Sequence, residues 1–378
     1  TKTRDLKAAR RVRNVYLANI ERDRVAVIQE VEGSLDTAMQ IAADYRSARE
    51  GQDEALDYVT SIQAEKIEER AGYAKAKRWH EVATGEVTPL KVAYEKYLED
   101  AGKAKSRSSL NNLKTAIAEF YEFAGEDVSL QGVDRRTVGD FVNEYLPSRV
   151  GPKAPEGQGP ATIRRKVSDL KAIWEWAKRR GYLDWERHNP WEAQAPSGKE
   201  VKARAKARRP YTPEETTKLL NACPMGGRLG DVIRVALLTG VRLEELADLD
   251  AAHVDPEARW YTVQTGKTDN ASRVVPLVDL AQTVIRERLR KVGGQGPLFP
   301  ELPVRPSTGK RGGALSQEYT RVRRRVLGEE TNRQLDQHAF RHTWRTAASR
   351  AGVDTRVTQE MGGWSRGRAS DLPYDHGR

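Results

Sequence analysis

The sequence predicts a multidomain, mainly α protein: a long helical first half, then a mixed α/β unit whose helices accompany one small antiparallel sheet. Three observations carry this. At 378 residues the chain exceeds one ordinary hydrophobic core and calls for two or three domains, and its 38% hydrophobic content is enough to fill them. Apolar residues recur at three- and four-residue spacing through most of the chain, which is the helical period. Trp260-Tyr261-Thr262-Val263 and Arg273-Val274-Val275-Pro276-Leu277 instead read as two strands, joined by the polar Gly266–Ser272 segment.

Lys plus Arg number 65 against 54 Asp plus Glu, giving a net charge of +11 and a pI near 9.6. This balance favours a polyanionic partner, either nucleic acid or an acidic membrane surface. No apolar run of about eighteen residues and no signal-peptide pattern occurs, so a membrane-spanning or exported protein is not expected, and the cytoplasm is the expected compartment. The single Cys223 excludes an internal disulfide framework and a thiolate-cluster metal site, and is expected to be a small buried residue. Neither a metal nor another cofactor is expected.

Residues 1–85 read as an N-terminal helical arm. Its start is basic (Lys2, Arg4, Lys7, Arg10, Arg11, Arg13), fitting either a nucleic-acid arm or a solvated terminus. Val25, Ile28, Val31, Leu35 and Met39 then take helical spacing, and Gly33-Ser34 and Gly51 divide the segment, leaving a helical hairpin and an oligomerising arm both open. Thr88-Pro89 opens a second, all-helical unit over 86–195. Val92 to Leu98 and Leu110 to Tyr121 outline two amphipathic helices, 134–146 a third, and Gly151–Pro160 is a Gly/Pro-rich loop. The next helix sets Ile163, Val167, Leu170 and Trp174 in an apolar stripe. Between them stand Arg164, Arg165, Lys166 and Lys171, which fit a helix crossing DNA and a solvated face comparably well.

Residues 196–210, with Lys202, Arg208 and Arg209, are strongly basic without apolar periodicity, a linker by composition that could follow a phosphate backbone. The last unit, 211–378, opens on Thr212-Pro213-Glu214-Glu215, a helix start. A helix from Asp231 runs into Thr239-Gly240-Val241-Arg242-Leu243-Glu244-Glu245-Leu246. There a glycine break starts a new helix with Arg242 in its first turn and Leu243, Leu246 and Leu249 facing inward. Arg321, Arg323, Arg324 and Arg325 add a basic face.

Near the end, His338-Ala339-Phe340-Arg341-His342-Thr343-Trp344-Arg345 sets His338, Arg341, His342 and Arg345 on one side of a helix, free for chemistry. Phe340, Trp344, Ala347 and Ala348 lie on the other side, expected to pack. Cations crowded beside a histidine call for an external anion. Gly266-Lys267-Thr268 is not a nucleotide-binding loop, because Tyr261 stands where the first glycine is required.

In the order Arg242, Lys267, His338, Arg341, Trp364 and Tyr374, the last unit resembles the catalytic domain of the tyrosine recombinase (phage integrase) family. The residues carrying the likeness are Thr-Gly-Val-Arg-Leu-Glu-Glu-Leu, the Gly-Lys-Thr hairpin ending Arg-Val-Val-Pro-Leu, His-Ala-Phe-Arg-His-Thr-Trp, Gly-Gly-Trp-Ser and a tyrosine about ten residues on. The 86–195 unit is similar to that family's core-binding domain. The resemblance implies a site-specific recombinase of duplex DNA, acting on attachment-type sites as a homo-oligomer, a tetramer on DNA, with accessory DNA-bending or directionality factors as further partners. It implies that Tyr374 is the nucleophile forming a 3′-phosphotyrosine, and that His338 assists its deprotonation. Arg242 and Arg341 would bind the non-bridging oxygens, Lys267 would act as general acid, and Trp364 would donate to phosphate and buttress the tyrosine. Glu245 and His342 would support the site. Pro373 disfavours helical geometry just before Tyr374, and only Asp375–Arg378 follow it, where the resemblance implies a C-terminal segment docking on a neighbouring subunit; either the chain is truncated, or another element such as the N-terminal helices bridges subunits. The rival readings are a non-catalytic DNA-binding protein on the same fold, and a type IB topoisomerase-like or hairpin-forming enzyme.

Overall fold

Helical spacing resolves into helices along the first unit of a computed structural model, which describes residues 34–47, 53–125, 128–152, 154–204, 208–264, 272–331 and 334–364. The chain divides into Thr1–Arg204 and Ala205–Arg378. In the first unit, α1 (Leu35–Ser47), α2 (Asp53–Ala71) and α3 (Tyr73–Ala83) pack on one another. Their contact buries Ala38, Met39, Ile41, Trp79, Val82 and Ala83. Val87, Val92 and Tyr182 pack against the same cluster, so these helices continue into the next ones. Val25, Ile28, Val31 and the basic start lie outside the described residues.

The following helices are α4 (Leu90–Gly102), α5 (Arg107–Ala124), α6 (Arg135–Asp140, prolonged by a π turn over Phe141–Tyr145) and α7 (Pro160–Arg179). Ser106 and Asp134 cap α5 and α6 by accepting from the backbone N–H groups of Ser109 and Thr137. Their core is aromatic and edge-on: Phe120 meets Trp191 at 4.9 Å and Phe141 at 5.0 Å between ring centroids, the geometry the ring quadrupole prefers. The loop before α7 turns at Gly157, where φ is 83° and a Cβ would fall 1.7 Å from the Pro147 carbonyl oxygen. The basic segment after it is not wholly irregular. Ser197 and Glu200 form a reciprocal cap that starts a short helix, α8 (Gly198–Arg204), with no buried residue.

In the second unit a capping box between Thr212 and Glu215 opens α9 (Pro213–Ala222), followed by α10 (Arg228–Thr239) and α11 (Leu243–Ala247). Strands β1 (Trp260–Val263) and β2 (Arg273–Pro276) pair antiparallel with Tyr261 opposite Val275, and both of these side chains are buried. Then come α12 (Asp279–Lys291), α13 (Gly312–Leu327), α14 (His338–Arg350) and α15 (Thr355–Gly362). Val232, Ile233 and Val235 of α10 share one core with Leu243, Leu246, Ile285, Tyr319 and Phe340. A buried ion pair, Arg288 to Asp231 at 2.6 Å, ties α12 to α10 and is completed by Glu301. Cys223 is buried, as expected of a small apolar residue. Among the described residues no helix is long and apolar enough to cross a membrane.

Candidate active site

The glycine break expected before Arg242 is a left-handed turn: Gly240 ends α10 at φ 66°, and Arg242 takes the N-cap position of α11. Its backbone N–H donates to Glu245 Oε2 at 2.9 Å and its Nη1 to Oε1 at 2.7 Å, while Nη2 reaches the Gly363 carbonyl at 3.4 Å. Glu245 is buried and takes a second cation, Arg273, through Nη2 to Oε2 at 2.7 Å and Nη1 to Oε1 at 3.3 Å. Burial alone would raise the Glu245 carboxyl. The hydrogen bonds and charge of Arg273, with those from Arg242, outweigh it and hold the group below its ordinary value.

The faces of α14 differ from the expected split. Arg341 and Arg345 are each only 6% exposed, whereas Ala347 is exposed and Ala348 half-buried. The cause is Trp364, which follows α15 and lies against the cationic face: its ring centroid is 3.7 Å from Arg341 Cζ and 4.9 Å from Arg345 Cζ. Trp364 also stacks on Trp344 at 6.2 Å and 13°. Arg341 Nη1 donates to the Gly240 carbonyl at 2.9 Å, so the same left-handed turn that positions Arg242 anchors Arg341. Glycine is required twice here, since a Cβ on Gly240 would meet Trp344 at 2.2 Å and one on Gly362 would meet Trp364 at 1.9 Å.

His338 begins α14, exposed on the surface, with its backbone N–H on Asp336 Oδ1 at 2.9 Å. Although the residue reaches solvent, the protein around the ring removes part of its water, and this partial desolvation lowers its pKa below the ordinary imidazole value. Asp336 opposes this, and the charges of Arg208, Arg341 and Arg242 add to it. Arg208 itself pairs with Asp336 at 2.6 Å, and the two line a cavity of about 300 Å³ with Tyr319, Thr320 and His338. His342 is half-buried on the same helix. Lys267 and Tyr374 lie outside the described residues.

The basic residues singled out in the sequence separate on folding. Arg165 and Lys202 are exposed. Arg164 donates to the Pro196 carbonyl and Lys171 pairs with Glu192, both at the surface. Lys166 does not stand on a DNA-facing surface: it is buried and spent on Glu119, because its position on α7 points towards α5. Arg209 grips Glu215 with two 2.6 Å bonds, closing the cap of α9. Arg323 likewise turns inward onto Thr331, leaving Arg321, Arg324 and Arg325 exposed.

The cluster also contains Arg273 and Trp344, which the sequence reading does not place at the site, and Arg345, which it places on the free face of the helix. For Arg273 a signal existed: with Val275 inward, strand alternation puts Arg273 on the same inner face. No spacing rule could find Arg345's burial, which depends on where Trp364 returns.

Comparison with known proteins gives this arrangement its context. The model of the phage integrase family matches residues 210–376, and that of the phage integrase SAM-like domain matches residues 90–193. The tyrosine recombinase XerC of Mycobacterium sp. (strain JLS) is 27% identical over 260 residues, 65% of this chain and 82% of its own length. XerC of Mycobacterium tuberculosis (strain ATCC 25177 / H37Ra) is 28% identical over 244 residues, 61% of this chain and 77% of its own. In fold, the chain is similar to the Tn1549 transposon integrase in complex with a circular intermediate DNA, with a TM-score of 0.57, 18% identity, and coverage of 76% of this chain and 95% of that one. A lambda integrase in a tetramer bound to a Holliday junction gives a TM-score of 0.57 at 15% identity, covering 83% and 85%. The chain belongs to the tyrosine recombinase (phage integrase) family, whose members are DNA strand-transferring enzymes.

Proposed function

We propose that the chain is a site-specific recombinase that cuts and rejoins duplex DNA through a 3′-phosphotyrosine on Tyr374, for integration or excision of a mobile element. The observation that carries the reading is the convergence of two guanidiniums distant in sequence: Arg242 reaches the Gly363 carbonyl, and Arg341 lies against Trp364, the next residue. Both therefore border the turn that precedes Tyr374 by about ten residues. Of the four tyrosines in residues 205–378, Tyr211, Tyr261 and Tyr319 are buried in the core with their phenols driven to higher pKa by desolvation, which disqualifies them as nucleophiles.

In this mechanism the Tyr374 oxygen attacks phosphorus and the bond to the 5′-oxygen breaks. A phenol with a pKa of about 10 needs a proton acceptor at neutral pH. His338, whose pKa is lowered, is neutral there and fits that role. Arg242, which is exposed, holds a non-bridging oxygen as charge grows on it, and Arg341 takes the other once Trp364, which covers it, shifts aside. Lys267 delivers the proton to the leaving 5′-oxygen. Trp364 donates one N–H and packs the site, but an indole cannot carry the proton. Glu245 orients Arg242. The phosphotyrosine conserves the bond, so rejoining by a 5′-hydroxyl reverses these steps without ATP. The helical unit would grip the duplex, with exposed Arg165 and Lys202 on phosphates, and four copies would act on two sites, as in the lambda integrase tetramer on its junction. The bacterial cytoplasm is the compartment that fits.

The test uses nicked suicide duplexes tiled across the DNA flanking the gene. A protein–DNA adduct is expected that survives denaturant, forms without Mg²⁺ and vanishes in Tyr374→Phe. An undiminished adduct in that variant would refute the nucleophile. DNA binding without any adduct from the unaltered protein would favour the non-catalytic reading.

A further inference from the structure

Five residues from three separate elements close a ring of contacts behind the proposed phosphate site. Arg242 Nη1 lies 2.7 Å from Glu245 Oε1, and Arg273 Nη2 lies 2.7 Å from Glu245 Oε2. Arg273 Nε reaches onward to the Met361 carbonyl at 2.8 Å, two residues before Gly363, whose own carbonyl meets Arg242 Nη2 at 3.4 Å. Arg273 is the shared member. One edge of its planar guanidinium serves the carboxylate and the other serves the end of α15, a division that five fixed donors permit.

Exposure separates the two arginines. The Arg273 side chain is 8% exposed and that of Arg242 46%, so one is sealed in and the other presents its charge outward. We propose that Arg273 is a positioning residue for strand cleavage, holding the Arg242 guanidinium at the scissile phosphate through Glu245 while fixing the Gly363–Trp364 turn against the same site. The inference rests on the recombinase reading above and deepens it.

Two further observations support it. Gly363 adopts φ 65°, and a Cβ there would fall 2.8 Å from Arg273 Nη1, so the turn is packed directly on the guanidinium plane. Arg273 is also the first residue of β2 and pairs with Val263, the last of β1, so it sits at the rung where the strands diverge towards the segment that contains Lys267 in sequence. One buried side chain therefore ties together the start of α11, the first rung of β2 and the end of α15. It also supplies the second positive charge on Glu245. Without it, Arg242 would be the one guanidinium left on a buried carboxylate in this ring, drawn inward and neutralised by it.

The test compares R273K and R273M in the full chain, using the nicked duplex that gives the adduct with the unaltered protein. Thermal unfolding, duplex affinity and single-turnover adduct formation at saturating protein are each measured. A lysine keeps the charge but cannot serve the carboxylate and the Met361 carbonyl together. R273K should stay folded and bind the duplex within about twofold, yet form adduct on the order of tenfold more slowly; R273M should lose about 100-fold, the scale of an ångström's misplacement of a reacting group. On an Arg242→Ala background R273K should slow the reaction by clearly less than tenfold, because the part of its effect that passes through Arg242 is already lost and only the part that passes through the Gly363–Trp364 turn remains. Adduct formation by R273K at the unaltered rate would overturn the inference, as would losses that multiply in full with Arg242→Ala or that simply track lost folding or affinity. If R273M does not fold, R273K and the double variant still decide. Should the unaltered protein form no adduct on any duplex, the function itself fails and this inference with it; a normal adduct with an unimpaired R273K defeats this inference alone.

Discussion

Replacing Gly240 by alanine tests whether the left-handed turn at the end of α10 organises the site. Two effects add. A non-glycine residue in the left-handed region costs about 1–2 kcal/mol, and Gly240 sits there at φ 66°. The new Cβ would also lie 2.2 Å from Trp344 Cε3 and 2.5 Å from Cδ2, an overlap relieved only by moving the indole or the turn, at roughly 1–3 kcal/mol for overpacking. The sum is roughly 2–5 kcal/mol, which for a unit of this size lowers Tm by on the order of 4–20 °C. Movement of the turn displaces the carbonyl that holds Arg341 and the backbone that leads into Arg242, so adduct formation should fall by about 100-fold. Gly352→Ala is the internal control. Gly352 also has positive φ, at 74°, but nothing lies within 4 Å of its Cβ direction, so this change carries the backbone term alone, about 1–2 kcal/mol, and should leave the cleavage rate unaltered. The assay pairs calorimetric unfolding of the full chain with single-turnover adduct formation. Equal effects of the two substitutions on Tm and on rate would refute the claim that packing of Trp344 on Gly240 sets the site.

Burial of Lys166 makes its replacement a matter of stability rather than DNA affinity. Lys166→Met leaves Glu119 largely buried without its cation and should destabilise the helical unit by about 3–5 kcal/mol in denaturant titration. The dependence of duplex affinity on salt should stay as it was, whereas Arg165→Gln should reduce that slope by about 0.9; the reverse pattern would put Lys166 on the phosphates. For His338, histidine-labelled protein followed by proton NMR should show one imidazole, absent in His338→Gln, titrating below about 6.5 in the free protein. Because desolvation first and then the charge of Arg208 lower it, Arg208→Gln should move that midpoint upward; a midpoint above 6.5 would contradict the environment described.

What the sequence made legible follows from how local each cause is. The helices of both units follow from their apolar spacing, and the antiparallel pairing of β1 with β2 follows from β-branched and aromatic residues on either side of a polar segment. The Gly240 break and the inward Leu243, Leu246 and Leu249 are local too, and they came out as expected. The basic segment after Pro196 was read by composition, which hid the Ser197–Glu200 cap that starts α8. The division of α14 into a packed and a free face failed for a different reason. A helical wheel ranks side chains by their own polarity, and cannot know that Trp364, fourteen residues beyond the helix end, returns to cover Arg341 and Arg345. Lys166 is the same case in the helical unit, since its partner Glu119 lies 47 residues away.

The arginines of the site illustrate two ways of making a cation immobile without cancelling it. A side chain that must meet a phosphate has to be held still, yet a carboxylate that holds it also neutralises it. Arg341 is held by a carbonyl and the face of an indole, groups that orient a guanidinium without opposing its full charge. Arg242 is held by Glu245, which on its own would cancel it. Arg273 restores the balance, because these three groups together keep one net positive charge, and the exposed member of the set is Arg242. Burial of the third charge is tolerated because it is matched on two sides, by the carboxylate and by the Met361 carbonyl at the end of α15. The strand that delivers Arg273 is therefore part of the site's electrostatics. Any rearrangement that pulls β2 away from Glu245 would weaken the hold on Arg242 and its charge in one step.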